Sequence, residues 1–162
     1  LRALAPDAPN LAALAAKINQ QFHKDSLPNI FASILYLEIF PPLGTVKFVN
    51  AGHFPPLLMM RQSIREAGKG EPALGLMPNV SYVEQTLEFI SGDLLVAYSD
   101  GLTEARNNAG EFYGVERLKH LLPAVAHRDA AGIGESILRS VEEFRGDAPA
   151  SDDLSLLILK RS

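Results

Sequence analysis

The chain has 162 residues, 47% of them hydrophobic, and its formal net charge at pH 7 is −4. This length and composition predict a single domain over residues 1–162 with a sizeable core, and the acidic balance argues against nucleic-acid binding. The sequence has no cysteine, which excludes disulfide and thiolate chemistry and fits a cytoplasmic location. No apolar run approaches the roughly 20 residues of a membrane segment.

The first part of the chain is predicted to be helical. Leu1 to Ala8 has the apolar spacing of the last turns of a helix whose beginning lies upstream, so we expect the chain to be cut from something longer. Asn10 is a favourable N-cap, and the helix that follows it is predicted to end near Lys24. The apolar stripe of this helix consists of Leu11, Leu14, Ile18 and Phe22.

The middle of the chain is predicted to consist mainly of strands. Residues 30–40 are apolar on both faces, which indicates a central strand. Pro41 to Gly44 then turn the chain into a second strand over residues 45–50, so that the two form a hairpin. Residues 57–60 predict another short strand, and the glycines and charges over 61–72 predict a flexible edge or loop.

A polar loop follows the second of these strands. It brings together Asn50, Gly52 and His53 just where the strand ends, which makes them candidate site residues. Alternatively, His53 is a surface residue or a hydrogen-bonded strut, which is the more common role of a single histidine.

The next strands lead to the most informative stretch. Residues 80–89 alternate loosely as a strand, and residues 94–98 form an apolar run bounded by a turn signal, which predicts a buried strand. Asp100 follows, with its carboxylate placed to face a cleft, and Gly101 permits a sharp turn and a close approach. From this stretch alone, a plain Asp-Gly turn is the favoured interpretation.

The C-terminal part adds two helices and a strand. Residues 115–122 predict a helix, Asp129 is a candidate cap for a second one, and residues 154–160 predict a final strand. The buried stripe of the second helix is predicted to be Ile133, Ile137, Val141 and Phe144. Strands mixed with helices, without repeats or linkers, predict an α+β fold.

Acidic residues stand at two strand boundaries in this prediction. Asp100 leaves one strand, and Asp152 and Asp153 enter another. Carboxylates that converge without basic partners repel one another, and a hard divalent cation relieves the repulsion by binding their oxygens. With no Cys/His set for zinc, magnesium or manganese is the natural candidate. The alternative is that these aspartates only cap helices and form turns.

Five blocks of the sequence, taken in order, closely resemble the bacterial SpoIIE/RsbU-type branch of the metal-dependent (PPM, type 2C) protein serine/threonine phosphatases. They are FASILYLEI, FVNAGHFPPLLM, ALGLMP, SGDLLVAYSDGLTEARNNAGEFYGVERL and SDDLSLLIL. The blocks span residues 30–160, and NAGH and YSDGLTEA are highly specific. The resemblance implies an antiparallel β-sandwich flanked by helices.

The resemblance also implies a site for two Mn²⁺ or Mg²⁺ ions with Asp100 and Asp152 among the ligands. Asp153 then supports its neighbour, while Gly101 and Asn50 belong to the loops around the site. His53 falls where eukaryotic relatives have an aspartate linked to an additional metal, so that ligand would be missing. In the family, water attacks phosphorus directly without a covalent enzyme intermediate, which agrees with the chemistry that two cations provide.

By the same resemblance, the substrate is a phosphorylated anti-anti-sigma (STAS-domain) protein in a partner-switching pathway. The opening strands of the family, with an Asp-Gly ligand pair, have no match in this sequence. We therefore expect part of the metal ligands to be absent and residues 1–162 alone to show little or no activity. Sheets that lack strands expose unpaired edges, which favours a homodimer.

Two other hypotheses about the function are compatible with the sequence. The first is a non-catalytic regulatory or dimerisation module on the same fold, which needs no metal and is therefore distinguished by metal titration. The second is a hydrolase that uses Asp100 and Glu104 as an acid and base pair, although two residues four apart on a sharp turn have no defined separation.

Overall fold

The computed structural model describes residues 8–27, 29–61, 63–150 and 152–162. The predicted helix end over Leu1 to Ala8 lies, except for Ala8, outside the described residues. Among the described helices, none is long and apolar enough to span a membrane. In chain order, the elements are α1 (Leu11–Asp25), β1 (Ile34–Phe40), β2 (Thr45–Ala51), β3 (Leu57–Met60), β4 (Ser63–Glu66), β5 (Gln85–Glu88), β6 (Leu94–Tyr98), α2 (Asp100–Thr103), α3 (Gly114–Val125), α4 (Ala130–Arg145) and β7 (Leu156–Lys160).

The elements divide between two compact units, each built on one antiparallel sheet. The first unit comprises the described residues up to Pro55 together with Gly68–Ile90, and its strand order is β1-β2-β5. The second unit comprises Pro56–Ala67 and Ser91–Ser162, and its strand order is β4-β3-β6-β7. All pairings between these strands are antiparallel. The predicted α+β class, with two antiparallel sheets and accompanying helices, is confirmed.

The first unit is organised by the predicted hairpin, which the structure confirms. The strands β1 and β2 pair from Ile34 opposite Ala51 to Phe40 opposite Thr45. Gly44 closes the turn in the left-handed region, at a φ of 63°, where a side chain would be strained. Helix α1 begins as predicted, because the Asn10 side chain accepts a 2.8 Å bond from the backbone N–H of Ala13. The buried core between α1 and the sheet consists of Leu11, Ala15, Val49, Ala51, Leu74 and Tyr82.

Three predictions about the strands need correction. The strand expected to be central, β1, is an edge strand of its sheet within the described residues, and 49% of Ile39 is exposed. The segment predicted as a loop over 61–72 contains β4, which pairs with β3. Its sequence is polar because most of its side chains are exposed. The strand predicted over residues 80–89 is confined to β5.

The second unit has a larger core, in which α3 and α4 cover the sheet. All five residues of β6 are buried, as predicted. Asp129 caps α4 by accepting a 2.8 Å bond from the N–H of Gly132, which confirms that prediction. On the buried face of α4, the predicted stripe is confirmed at Ile133, Ile137 and Val141, while Phe144 packs at its margin, edge-on to Tyr113 with ring centroids 5.5 Å apart.

Candidate functional site

The antiparallel pairing of β6 with β7 brings the two acidic segments to the same end of the second unit's sheet. The last strand pair at this end is Tyr98 opposite Leu156. One step further, the N–H of Ser99 donates to the carbonyl of Ser155 at 3.0 Å. Because the strands run in opposite directions, the residues that follow Ser99 lie beside those that precede Ser155. Asp100 therefore shares this end of the sheet with the segment of Asp152.

Side-chain and backbone contacts hold the acidic segments together. The hydroxyl of Ser99 accepts a 2.8 Å bond from the N–H of Ser155 and donates a 3.3 Å bond to the carbonyl of Asp153. Gly101 lies directly against the same carbonyl, and a Cβ atom at this position would collide with it. Because glycine has no Cβ, the main chain of the acidic segment can lie in direct contact with Gly101.

Both candidate ligands are oriented by their own segments. Asp100 uses Oδ1 to accept a 3.0 Å bond from the N–H of Gly101, and Asp152 uses Oδ1 to accept a 2.7 Å bond from the N–H of Asp153. Asp100, Asp152 and Asp153 are all exposed to solvent. Each of these bonds engages one oxygen and so fixes the direction of the carboxylate.

The carboxylate oxygens of Asp100 and Asp152 are chemically suited to a hard divalent cation. Carboxylate oxygens are the ligands that Mg²⁺ and Mn²⁺ prefer, and Mg²⁺ often binds to only one or two carboxylates while keeping several waters. Within the described ranges, there is no group of three or more His, Asp or Glu side chains that could hold a metal ion. Asp100 and Asp152 are therefore suitable but few, and their role as metal ligands stays a prediction.

The polar loop of the first unit is organised by Asn50. This side chain is fully buried; its amide donates to the carbonyl of His53 at 3.0 Å and accepts from the N–H of His53 at 2.9 Å. Gly52 allows the tight turn between them, with a φ of 72°. The ring of His53 has its Nδ1 2.9 Å from the carbonyl of Phe54. Asn50 is thus the strut of this loop, and a site role for His53 stays a prediction.

A pocket of about 280 Å³ opens beside the acidic segment of the second unit. Its lining includes Gly101 and the acidic segment with Asp152, Asp153 and Leu154. Helix α4 contributes Leu138, Val141, Glu142 and Arg145. Ser99 and Arg145 were not among the predicted site residues. The signals for them were a hydroxyl residue directly before the strand-end aspartate, and a basic residue in helical register with an apolar stripe.

Comparison with solved structures identifies the fold as that of PP2C-type phosphatase domains. The PP2C domain of SiaA from Pseudomonas aeruginosa matches with a TM-score of 0.81 and 18% identity over 99% of this chain and 66% of that chain. The PP2C domain of SpoIIE from Bacillus subtilis, solved with part of its regulatory domain, matches with a TM-score of 0.78 and 16% identity over 97% and 46%. The RsbU and RsbW domains of a Mycobacterium tuberculosis protein match with a TM-score of 0.76 and 22% identity over 99% and 44%.

The family follows from the sequence. The family model of Stage II sporulation protein E (SpoIIE) matches residues 1–162, and the chain belongs to this family. Protein IcfG of Synechocystis sp. is 34% identical over 96 residues, which are 59% of this chain. The chain spans 15% of the length of that relative.

Proposed function

We propose that this chain is part of a metal-dependent phosphoprotein phosphatase, which hydrolyses a phosphoserine or phosphothreonine ester to the free hydroxyl and inorganic phosphate. The observation that carries the proposal is the pairing of β6 with β7, which places Asp100 and the segment of Asp152 at one end of the sheet in a chain of the SpoIIE family. No side chain of this chain is assigned a nucleophilic role.

In this proposal, Asp100 and Asp152 hold Mn²⁺ or Mg²⁺ through their carboxylates. When bound, such ions lower the pKa of water and neutralise the charge that develops on the phosphoryl oxygens. Ser99 maintains the spacing of the two carboxylates through its bonds to Ser155 and Asp153. Asp153 orients its neighbour, because its N–H binds the Asp152 carboxylate.

The proposed substrate is a phosphorylated anti-anti-sigma protein with a STAS domain, acting in partner switching. The sequence blocks shared with the SpoIIE/RsbU branch support this choice, as does the solved relative that contains both an RsbU and an RsbW domain. A cytoplasmic location follows from this substrate, since such regulators control transcription. The intact protein should dephosphorylate a phosphorylated STAS protein at least about tenfold more efficiently, in kcat/KM, than an unrelated phosphoserine peptide.

Self-association is the second partner proposal. Within the described residues, β1 and β5 are the outer strands of one sheet, and β4 and β7 those of the other. Unpaired strand edges recruit further strands, so we expect a homodimer. Light scattering well above micromolar concentration tests this, and a monodisperse monomer would contradict it.

The decisive test of the phosphatase proposal uses the intact protein with p-nitrophenyl phosphate and a phosphoserine peptide. We expect turnover with Mn²⁺, less with Mg²⁺ and none with EDTA. Asp100→Asn and Asp152→Asn should each lower the rate by about a hundredfold or more, because each removes a charge from the cation site. Glu104→Gln is the control and should retain activity. Undiminished turnover by Asp100→Asn would overturn the mechanism.

A non-catalytic module remains the alternative, and one observation favours it: the described residues supply only a small acidic set at this site. Such a module would bind neither Mn²⁺ nor Mg²⁺ at Asp100. Calorimetric titration of the intact protein and its Asp100→Asn variant with Mn²⁺ distinguishes the two, since the phosphatase proposal requires binding that the variant loses.

A further inference from the structure

The pocket beside the acidic segment contains a basic group that the proposed mechanism does not use. Arg145 lies in the last turn of α4 and lines this pocket together with Asp152. We propose that Arg145 is a substrate-binding residue, whose guanidinium binds a non-bridging oxygen of the phosphoryl group. The inference rests on the proposed phosphatase function, which places that group beside Asp152.

The hydrogen bonding of Arg145 points to a ligand. Its Nε atom is buried and has no hydrogen-bond partner among the described residues, and an unpaired buried donor is costly to maintain. Glu142, Asp152 and Asp153 line the same pocket, yet none of the ion pairs within 4.0 Å among the described residues involves Arg145. The guanidinium therefore has no hydrogen-bond or ion-pair partner among the described residues, and a ligand in the pocket can supply one through the rest of the guanidinium group.

The helix dipole explains why a basic residue stands at this position, but it does not explain the missing hydrogen-bond partner of Arg145. A basic residue in the last turn of a helix is stabilised by the helix dipole, which accounts for the charge of Arg145 at this position. The dipole does not account for the hydrogen bonding of the side chain, because its Nε–H has no acceptor among the described residues.

The pocket lining is acidic apart from Arg145. Three acidic side chains and one arginine line it, so an anionic ligand needs both Arg145 and the cations of the proposed function to offset the carboxylates. The planar fork of arginine binds two phosphate oxygens at once, and positive groups aimed at the transferring phosphoryl group are a general device of phosphoryl-transfer sites.

The size and lining of the pocket fit the rest of the substrate side chain. Its volume of about 280 Å³ leaves room beyond the phosphate itself. Leu138, Val141 and Leu154 supply an apolar wall against which the carbon atoms of phosphoserine or phosphothreonine can pack. A free phosphate ion and a phosphoryl ester share the chemistry that Arg145 recognises, so both serve as probes.

The kinetic test compares Arg145→Gln and Arg145→Lys in the intact protein, with Arg139→Gln as the matched control. Arg139 lies on the same helix, is exposed and does not line the pocket. Arg145→Gln should lower kcat/KM for p-nitrophenyl phosphate and for a phosphoserine peptide by about tenfold to a hundredfold, mainly through KM. It should raise the inhibition constant of inorganic phosphate about as much. Arg145→Lys should recover part of the loss, and Arg139→Gln should match the wild type.

Two kinetic outcomes would overturn the inference while leaving the phosphatase function intact. One is an active Arg145→Gln variant with unchanged kcat/KM and phosphate inhibition. The other is a loss confined to the phosphopeptide, which would place Arg145 on the peptide rather than on the phosphoryl group.

A direct readout separates the pocket from the activity. The intact protein is labelled with ¹⁵N-arginine and titrated with inorganic phosphate, with Mg²⁺ present instead of Mn²⁺. Phosphate should shift the Nε–H resonance of Arg145 and leave that of Arg139 in place. If the wild type has no phosphatase activity, the proposed function fails, and this shift alone still supports the phosphate site. An unshifted Arg145 resonance at saturating phosphate would overturn it.

Discussion

Ser99 and Ser155 are bonded to each other twice, through the N–H of Ser99 to the carbonyl of Ser155 at 3.0 Å and through the N–H of Ser155 to the Ser99 hydroxyl at 2.8 Å. The first bond extends the β6–β7 ladder by one step. The second replaces a ladder bond with a side-chain bond just where the two strands end. This double contact sets the spacing of Asp100 and Asp152, since each lies within three residues of it.

Replacing the Ser99 hydroxyl should therefore disturb both stability and metal binding. Ser99→Ala removes the acceptor of the Ser155 N–H and the donor to the Asp153 carbonyl. We expect a loss of about 1–2 kcal/mol in the free energy of unfolding and about tenfold or more in Mn²⁺ affinity. Urea unfolding and calorimetric titration measure the two effects.

The matched control for that experiment is Ser155→Ala. In these bonds Ser155 contacts Ser99 only with main-chain atoms, and Ser155 is exposed. A change within about 0.5 kcal/mol is expected. Equal losses for both variants would show that the Ser99 hydroxyl has no special role.

Gly101→Ala should displace the acidic segment. The added Cβ would collide with the carbonyl of Asp153, and this atom is main chain and cannot rotate away. We expect a destabilisation of about 1–3 kcal/mol together with weaker Mn²⁺ binding, measured by thermal unfolding and titration. Gly134→Ala in α4 is the comparison, because its Cβ would meet only the end of the Ile158 side chain at 3.4 Å. It should be neutral or stabilising by up to about 1 kcal/mol.

Asn50 should matter more than His53 for the stability of the polar loop. Asn50→Ala leaves the N–H and the carbonyl of His53 without their partner, at a fully buried position. The expected cost is about 2–3 kcal/mol. His53→Ala keeps both main-chain bonds and should cost less than about 1 kcal/mol. Chemical denaturation of both variants decides this, and a larger effect of His53→Ala would contradict the assignment of Asn50 as the strut.

The sequence was most informative where a signal is local. Asn10 and Asp129 could be identified as helix caps because a capping side chain acts only three residues away. The buried strand before Asp100 could be predicted from a continuous apolar run. The edge position of β1 could not, because the place of a strand in a sheet depends on its partners. Likewise, the contact of Ser99 with Asp153 spans 54 residues, and no local pattern encodes it.

Glu84 provides a pH-dependent contribution to the stability of the first unit. Its carboxylate accepts a 2.8 Å bond from the N–H of Leu11, the first residue of α1, and binds the Lys47 ammonium at 3.0 Å. The bond from Leu11, and next the bond from Lys47, lower the pKa of Glu84. A carboxyl with a lowered pKa in the folded state stabilises the fold above its unfolded pKa of about 4.3, and the contribution is lost as the pH falls through the folded pKa.

Glu84→Gln should therefore cost about 1 kcal/mol in the free energy of unfolding at pH 7, since the neutral amide keeps an acceptor but loses the charge near the helix N-terminus. Lowering the pH below about 4 should shrink the difference from the wild type, because the wild-type carboxyl then becomes protonated as well. Urea unfolding at pH 7, 5 and 3.5 measures this trend. Glu88→Gln on β5, exposed in the same unit, is the control and should show little difference at any of these pH values. A difference for Glu84→Gln that stays constant from pH 7 to 3.5 would mean that the charge of Glu84 does not stabilise α1.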